Sequence, residues 1–80
     1  MPQNHIITLC NLEKGVKATI VEIIADNKAT KRLADLGLTP NTPITIIRKT
    51  MFCGPMEVQV RGANIALGKG VAAKVLVKPL

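Results

Sequence analysis

Lys31-Arg32-Leu33-Ala34-Asp35-Leu36-Gly37-Leu38-Thr39-Pro40 is the stretch on which the fold turns. It reads as the last turns of a short helix, a glycine that stops it and a proline that keeps it from resuming. The apolar run Ile44-Thr45-Ile46-Ile47 follows almost at once, so the helix hands over directly to a strand. Upstream, Asp26-Asn27 supplies a side chain able to accept from an orphan N–H of the first turn. Ala29, Leu33 and Leu36 recur at helical spacing and form one stripe. Lys31 and Asp35, one turn apart, share the exposed side. The pattern predicts one helix near residues 28–36. Gly37 is placed for the left-handed position after the helix, with Leu38 folding back on its last turn.

Outward from this stretch the chain reads as strands. Residues 6–12 are apolar and end at Glu13-Lys14-Gly15, a turn signal. Residues 17–24 form a strand with Ala18, Ile20, Glu22 and Ile24 on one face and Val21 and Ile23 on the other. Apolar side chains on both faces suit a strongly bent barrel strand. Pro43 can open the next strand, which runs to about Thr50. Residues 51–55 are a loop carrying Met51 and Phe52. Met56-Glu57-Val58-Gln59-Val60 alternates apolar and polar, Arg61-Gly62-Ala63-Asn64 turns, and Ile65-Ala66-Leu67 returns. Gly68 and Gly70 loosen the next corner, and Lys74-Val75-Leu76-Val77 closes the fold. About five strands and one short helix predict a mainly β protein, a small and partly open barrel. It occupies residues 9–80 as a single domain, after a flexible N-terminal segment of residues 1–8.

Eighty residues leave room for a single core. Phe52 is the sole aromatic, while nine Ile, seven Val and seven Thr make that core aliphatic and β-branched. Eleven Lys and Arg against five Asp and Glu give a net charge of +6. Such a balance suits nucleic acid, an anionic membrane face or an acidic protein surface, and ordinary solubility accounts for it equally well. The basic residues are scattered; the adjacent pairs are Lys31-Arg32 and Arg48-Lys49, so there is no polybasic run. No segment approaches ~18 continuous apolar residues, the length a membrane span requires. The opening residues lack the basic start and apolar stretch of a signal peptide. A cytoplasmic chain is expected.

An enzyme needs a positioned acid, base or nucleophile. The single histidine, His5, lies in the N-terminal segment, and Glu13, Glu22, Asp26, Asp35 and Glu57 are dispersed along the chain. No glycine-rich phosphate loop is present. Catalysis is not expected. Cys10 and Cys53 are too few for a disulfide framework and too far apart for a CxxC pair. They read as one small core cysteine and one loop cysteine. With His5 they are the candidates for ferrous iron or zinc, and nothing clusters them, so no preformed metal site or cofactor is expected. An adventitious or intermolecular site stays open. Binding through the surface is the more natural reading. Met51 and Phe52 either cover an open barrel end or anchor a partner, Leu36 and Leu38 flank Gly37, and Arg32 can meet an acidic partner at the rim.

Four blocks, in order, resemble the FeoA family, the small protein A of bacterial and archaeal ferrous iron transport. They are Leu9-Cys10-Asn11-Leu12-Glu13-Lys14-Gly15, residues 32–40 of the opening stretch, Pro55-Met56-Glu57-Val58-Gln59-Val60-Arg61-Gly62, and Ile65-Ala66-Leu67 followed by Ala72-Ala73-Lys74-Val75. The resemblance implies an SH3-like β-barrel with structural turns at Gly15, Gly37, Pro40 and Gly62. It implies a non-catalytic accessory protein of ion transport that docks on the cytoplasmic GTPase domain of the membrane transporter FeoB. Arg32, Leu36, Leu38, Met51 and Phe52 are the candidate partner-binding residues. A transition metal such as Fe2+ and self-association into a homo-oligomer both stay open. Asn41 stands where the family usually has glycine, and asparagine also tolerates the left-handed region. Gly68 replaces a more usual basic residue, and Gly70 weakens any helical turn beside it. Two other readings remain. A basic nucleic-acid-binding barrel has the charge and strands in its favour and the lack of stacking aromatics against it. A metal-responsive dimerising domain is suggested by the same domain in repressors of the DtxR type, whose DNA-binding helix pair has no counterpart here.

Overall fold

The computed structural model describes residues 6–80, the side chain of Phe52 excepted; His5 lies outside the described residues. Strands β1 (Ile7–Thr8), β2 (Lys17–Ile23), β3 (Pro43–Lys49), β4 (Met56–Val60), β5 (Ala63–Leu67) and β6 (Val75–Pro79) form one sheet. Its order is β1-β6-β2-β3-β4-β5, with every neighbouring pair antiparallel. Helix α1 (Asn27–Asp35) separates β2 from β3. Short 3-10 turns occupy Leu9–Asn11, Met51–Cys53 and Ala72–Lys74. The architecture is the mainly β small barrel that the strand pattern predicts, with six strands where about five are expected.

The additional strand is β1. Ile7 and Thr8 belong to the lead-in that the sequence assigns as flexible, yet they pair with Val77 and Leu76. Ile7 packs on the core, which gives the pairing an apolar footing.

The helix ends as its chemistry requires. Asp26 accepts from the Ala29 amide at 2.8 Å, satisfying one orphan donor at the N-terminus. At the other end the Gly37 amide bonds the Ala34 carbonyl at 2.9 Å and the Leu38 amide bonds the Leu33 carbonyl at 3.0 Å, with Gly37 at φ +99°. This double return is a Schellman motif, and it stops the helix while turning the chain toward β3. Leu38 is driven into the core at 0% exposure, while Leu36, the last residue of the predicted stripe, caps the helix and stays 45% exposed. The apolar slot after Leu33 is thus filled by Leu38.

Strand alternation holds until a bulge interrupts it. Ala18 and Ile20 are fully buried. The β2–β6 register then shifts between Ile20 and Glu22, so β2 carries one extra residue. Beyond it the faces exchange: Ile23 packs on the core, whereas Glu22 and Ile24 are exposed. The expectation that Ile24 continues the Ala18–Ile20 face is corrected, because one inserted residue inverts a period of two. A second bulge in β3 separates Ile46, opposite Val58, from Arg48, opposite Glu57. Between β4 and β5 the turn is just Arg61-Gly62, with φ of +52° and +83°, and β5 begins at Ala63 rather than after Asn64. Positive φ at both central residues is the type I′ geometry, which matches the twist of the flanking strands.

The barrel interior is aliphatic: Leu9, Ile20, Leu38, Ile44, Ile46, Val58, Val60, Val75 and Val77 are its largest fully buried side chains. Thr42 is the one buried polar residue among those described, and its hydroxyl meets that of Thr39 at 2.7 Å. Replacing Gly37 by Ala combines a left-handed φ with a Cβ only 3.3 Å from Val60 Cγ1. Gly37→Ala is expected to lower stability by roughly 1–2 kcal/mol. A thermal melt superimposable on that of the wild type would remove the cap from the account.

Candidate functional site

The β3 bulge aims the side chains that build one end of the barrel. Arg48 and Glu57 fall on the outer face, where the ion pair of 3.6 Å is largely in water and contributes little. Lys49 pairs with Met56, whose side chain is buried, so Lys49 lies on the inner face of the ladder. From there its Nζ donates to the Cys10 carbonyl at 2.9 Å and to the Leu12 carbonyl at 2.8 Å. A lysine turned inward thereby satisfies carbonyls of a 3-10 segment that has no ladder partner.

The same end holds both cysteines. Cys10, in the Leu9–Asn11 turn, and Cys53, in the Met51–Cys53 turn, form a disulfide with Cα atoms 5.1 Å apart. This corrects the reading of one core cysteine and one unrelated loop cysteine. Both residues are half-buried and pack on the core. Their meeting is made by the two 3-10 turns, which pack against each other beyond the end of the β2–β3 ladder. The sequence carries no local signal for this pairing, because the two cysteines are 43 positions apart and their turns are joined by no ladder. Cys53 itself sits at φ +61°, a conformation unusual for a residue with a Cβ. Gly54 follows it, and a Cβ there would collide with Thr50 Oγ1. A cavity of about 570 Å³ opens beside the disulfide, lined by Cys10, Asn11, Glu13, Lys49, Thr50 and Met51 as well as Cys53. Among the described residues no three His, Cys, Asp or Glu gather as a metal-holding group.

The sequence-derived partner residues do not form one patch. Leu38 is fully buried and can touch no partner in the folded state; its place in that set is corrected by the Schellman turn that draws it inward. Arg32 and Leu36 are exposed one turn apart at the end of α1. Gly37, next to them, lies against Arg61, whose Cδ would be 3.4 Å from a Cβ at the glycine. Val60 ends β4 and Arg61 follows it in the turn, whereas Met56 begins β4 on the side of the Met51–Cys53 turn. Met51 is 75% exposed at that opposite end. A ladder of five residues separates the two ends by about 16 Å. Phe52 lies with Met51 in chain position, and its side chain is outside the description. Of the turn positions, Gly15 and Gly62 take φ of +86° and +83°, and Asn41, just after Pro40, takes +71°.

The result is a small SH3-like module: one short capped helix set into a six-stranded antiparallel barrel. No helix among the described residues is long and apolar enough to cross a membrane. Residues 7–79 match the FeoA domain family, and the chain belongs to that family. It is 30% identical over 66 residues to a protein of Methanocaldococcus jannaschii whose provisional name is Fe(2+) transport protein A, covering 82% of this chain and 78% of that one. A crystal structure of an iron uptake regulatory protein, FeoA, superposes with a TM-score of 0.85 at 32% identity, over 95% of this chain and 100% of the other. A manganese-dependent transcriptional repressor superposes with a TM-score of 0.86 at 22% identity, and there the match takes in 45% of the repressor. That likeness is one of fold. The family ties the chain to ferrous iron transport.

Lys49→Met keeps the length of the side chain and removes the donor, leaving the Cys10 and Leu12 carbonyls unpaired. A stability loss of roughly 2 kcal/mol is expected in chemical denaturation. Lys49→Arg, which still presents N–H groups, should recover part of it. Equal stability of all three proteins would mean that water replaces the lysine at no cost.

Proposed function

We propose that this protein is a non-catalytic accessory subunit of ferrous iron uptake that docks on the cytoplasmic GTP-binding domain of a FeoB-type membrane transporter. The observation that carries the reading is membership of the FeoA family across nearly the whole chain. The dispersal of Glu13, Glu22, Asp26, Asp35 and Glu57 over the sequence favours a binding protein over an enzyme.

The docking face we assign is the end of α1. Leu36 offers an exposed apolar contact, Arg32 stands one turn before it, and Arg61 reaches the neighbouring glycine from the β4–β5 turn. An exposed apolar side chain in a neighbourhood that carries two arginines suits a partner groove edged with carboxylates, since arginine pairs with carboxylate through a planar fork. The net charge of +6 favours encounter with such a surface. Docking acts on transport only through a difference in affinity: the protein favours whichever nucleotide state of the GTPase domain it binds more tightly. A nucleic-acid role is disfavoured by the single aromatic residue, because single-strand binders stack bases on several.

The test is binding to the isolated GTPase domain of the same organism's transporter, with a GTP analogue, with GDP and without nucleotide, and with duplex DNA as a parallel ligand. Saturable binding that depends on nucleotide is expected. Arg32→Glu and Leu36→Ser should each weaken it about tenfold or more, and Met51→Ser, at the other end of the barrel, should leave it unchanged. No affinity for the GTPase domain, alongside salt-sensitive affinity for DNA, would reverse the assignment.

A further inference from the structure

Docking through the end of α1 gives no use to a covalent bond at the opposite end of the barrel. Cys10 and Cys53 lie 43 positions apart in the chain and meet with Cα atoms 5.1 Å apart, inside the span a disulfide allows. They are half-buried and both line the 570 Å³ cavity, so small solutes can reach them. Lys49, whose Nζ donates to the Cys10 carbonyl at 2.9 Å, and Glu13 line the same cavity. The buried core from Leu9 to Val77 contains neither sulfur. The Met51–Cys53 turn also keeps other ties: the Gly54 amide to the Met51 carbonyl at 3.2 Å, the Gly70 amide to the Cys53 carbonyl at 3.3 Å, and Thr50 Oγ1 donating to the Pro55 carbonyl at 2.8 Å.

We propose that Cys10 and Cys53 are a reversible thiol–disulfide site, oxidised by small disulfides of the glutathione type, whose closure clamps the Met51–Cys53 turn to the Leu9–Asn11 turn. In the oxidising direction one cysteine thiolate attacks a sulfur of the small disulfide and expels one thiol, leaving a mixed disulfide on the protein. The second cysteine thiolate attacks the protein sulfur of that bond, expels the second thiol and forms the Cys10–Cys53 bond. Two electrons pass from the protein pair to the small disulfide, and the two cysteine protons leave with the two thiols. A reducing dithiol runs the sequence backwards. Cys53 is held at φ +61° between the exposed Met51 and Gly54, so the clamp sets how firmly this turn is ordered.

The full-length protein is equilibrated in glutathione redox buffers and read in two ways. Alkylation followed by mass spectrometry should show both thiols in reducing buffer and neither in oxidising buffer, with the two cysteines linked within one chain. Amide exchange at Gly54 and Gly70, whose N–H groups hold the turn, should quicken about tenfold on reduction while Leu38 and Val58 keep their rates. Cys53→Ser and Cys10→Ser should each retain a glutathione adduct on the remaining cysteine, since no second thiol can expel it. A lasting adduct on the wild-type protein, a disulfide-linked dimer, or equal exchange at Gly54 and Gly70 in both buffers would each overturn the proposal.

Discussion

The bond from the Leu38 amide back to the Leu33 carbonyl is the constraint on which the rest of this structure depends. It closes a helix of nine residues, too short to be stable in isolation. It also converts the next leucine from a helical residue into a core residue, worth about 2 kcal/mol of burial. Gly37 makes the turn without steric cost, Asn41 takes the left-handed position that follows Pro40, and Thr42 is buried with its hydroxyl bonded to Thr39. The chain then enters β3 at Pro43, where a missing amide does no harm. Helix stop, core filling and strand entry are one event spread over seven residues of sequence.

The two ends of the barrel are finished by different physics. Around α1 the cap leaves Leu36 and Arg32 exposed. At the other end the sheet edges do not meet in a ladder, and the 3-10 turns fill the gap, the first packing against the other two. Polar contacts keep that cover in place, with Lys49 holding two carbonyls and no buried side-chain N or O left unpartnered among the described residues. An aliphatic core without large aromatic plates suits this arrangement, because Ile, Val and Leu fill a narrow interior in few rotamers.

Much of the fold is legible in the residues. The Asp26 start, the Gly37 stop and the Met56–Val60 alternation each follow from a local rule, so one helix among strands can be read directly. What escapes is whatever an inserted residue or a distant pairing decides. The bulge after Ile20 reverses the face of Ile24, and the bulge after Ile46 turns Lys49 inward; neither leaves a mark in the alternation. β1 is two residues long and exists only because β6 is there to receive it. The candidate site is the least legible part. Leu36 and Leu38 look equivalent in sequence, yet the Schellman geometry exposes one and buries the other. Cys10 and Cys53 become neighbours only through the packing of two 3-10 turns that no strand pairing joins.

The strand order carries a consequence for how the molecule comes into being. β6, the last strand to be synthesised, lies between β1 and β2, the first two. Neither Ile7–Thr8 nor the outer edge of β2 has a partner until residues 75–79 arrive. A nascent chain can assemble β2, β3, β4 and β5 as a consecutive meander, but it must wait with one flank of that meander bare. Closure then requires contact between segments nearly the whole chain apart, the kind of contact that slows folding. Emergence of residues 75–79 from the ribosome, more than any local step, sets the moment at which this barrel can complete itself.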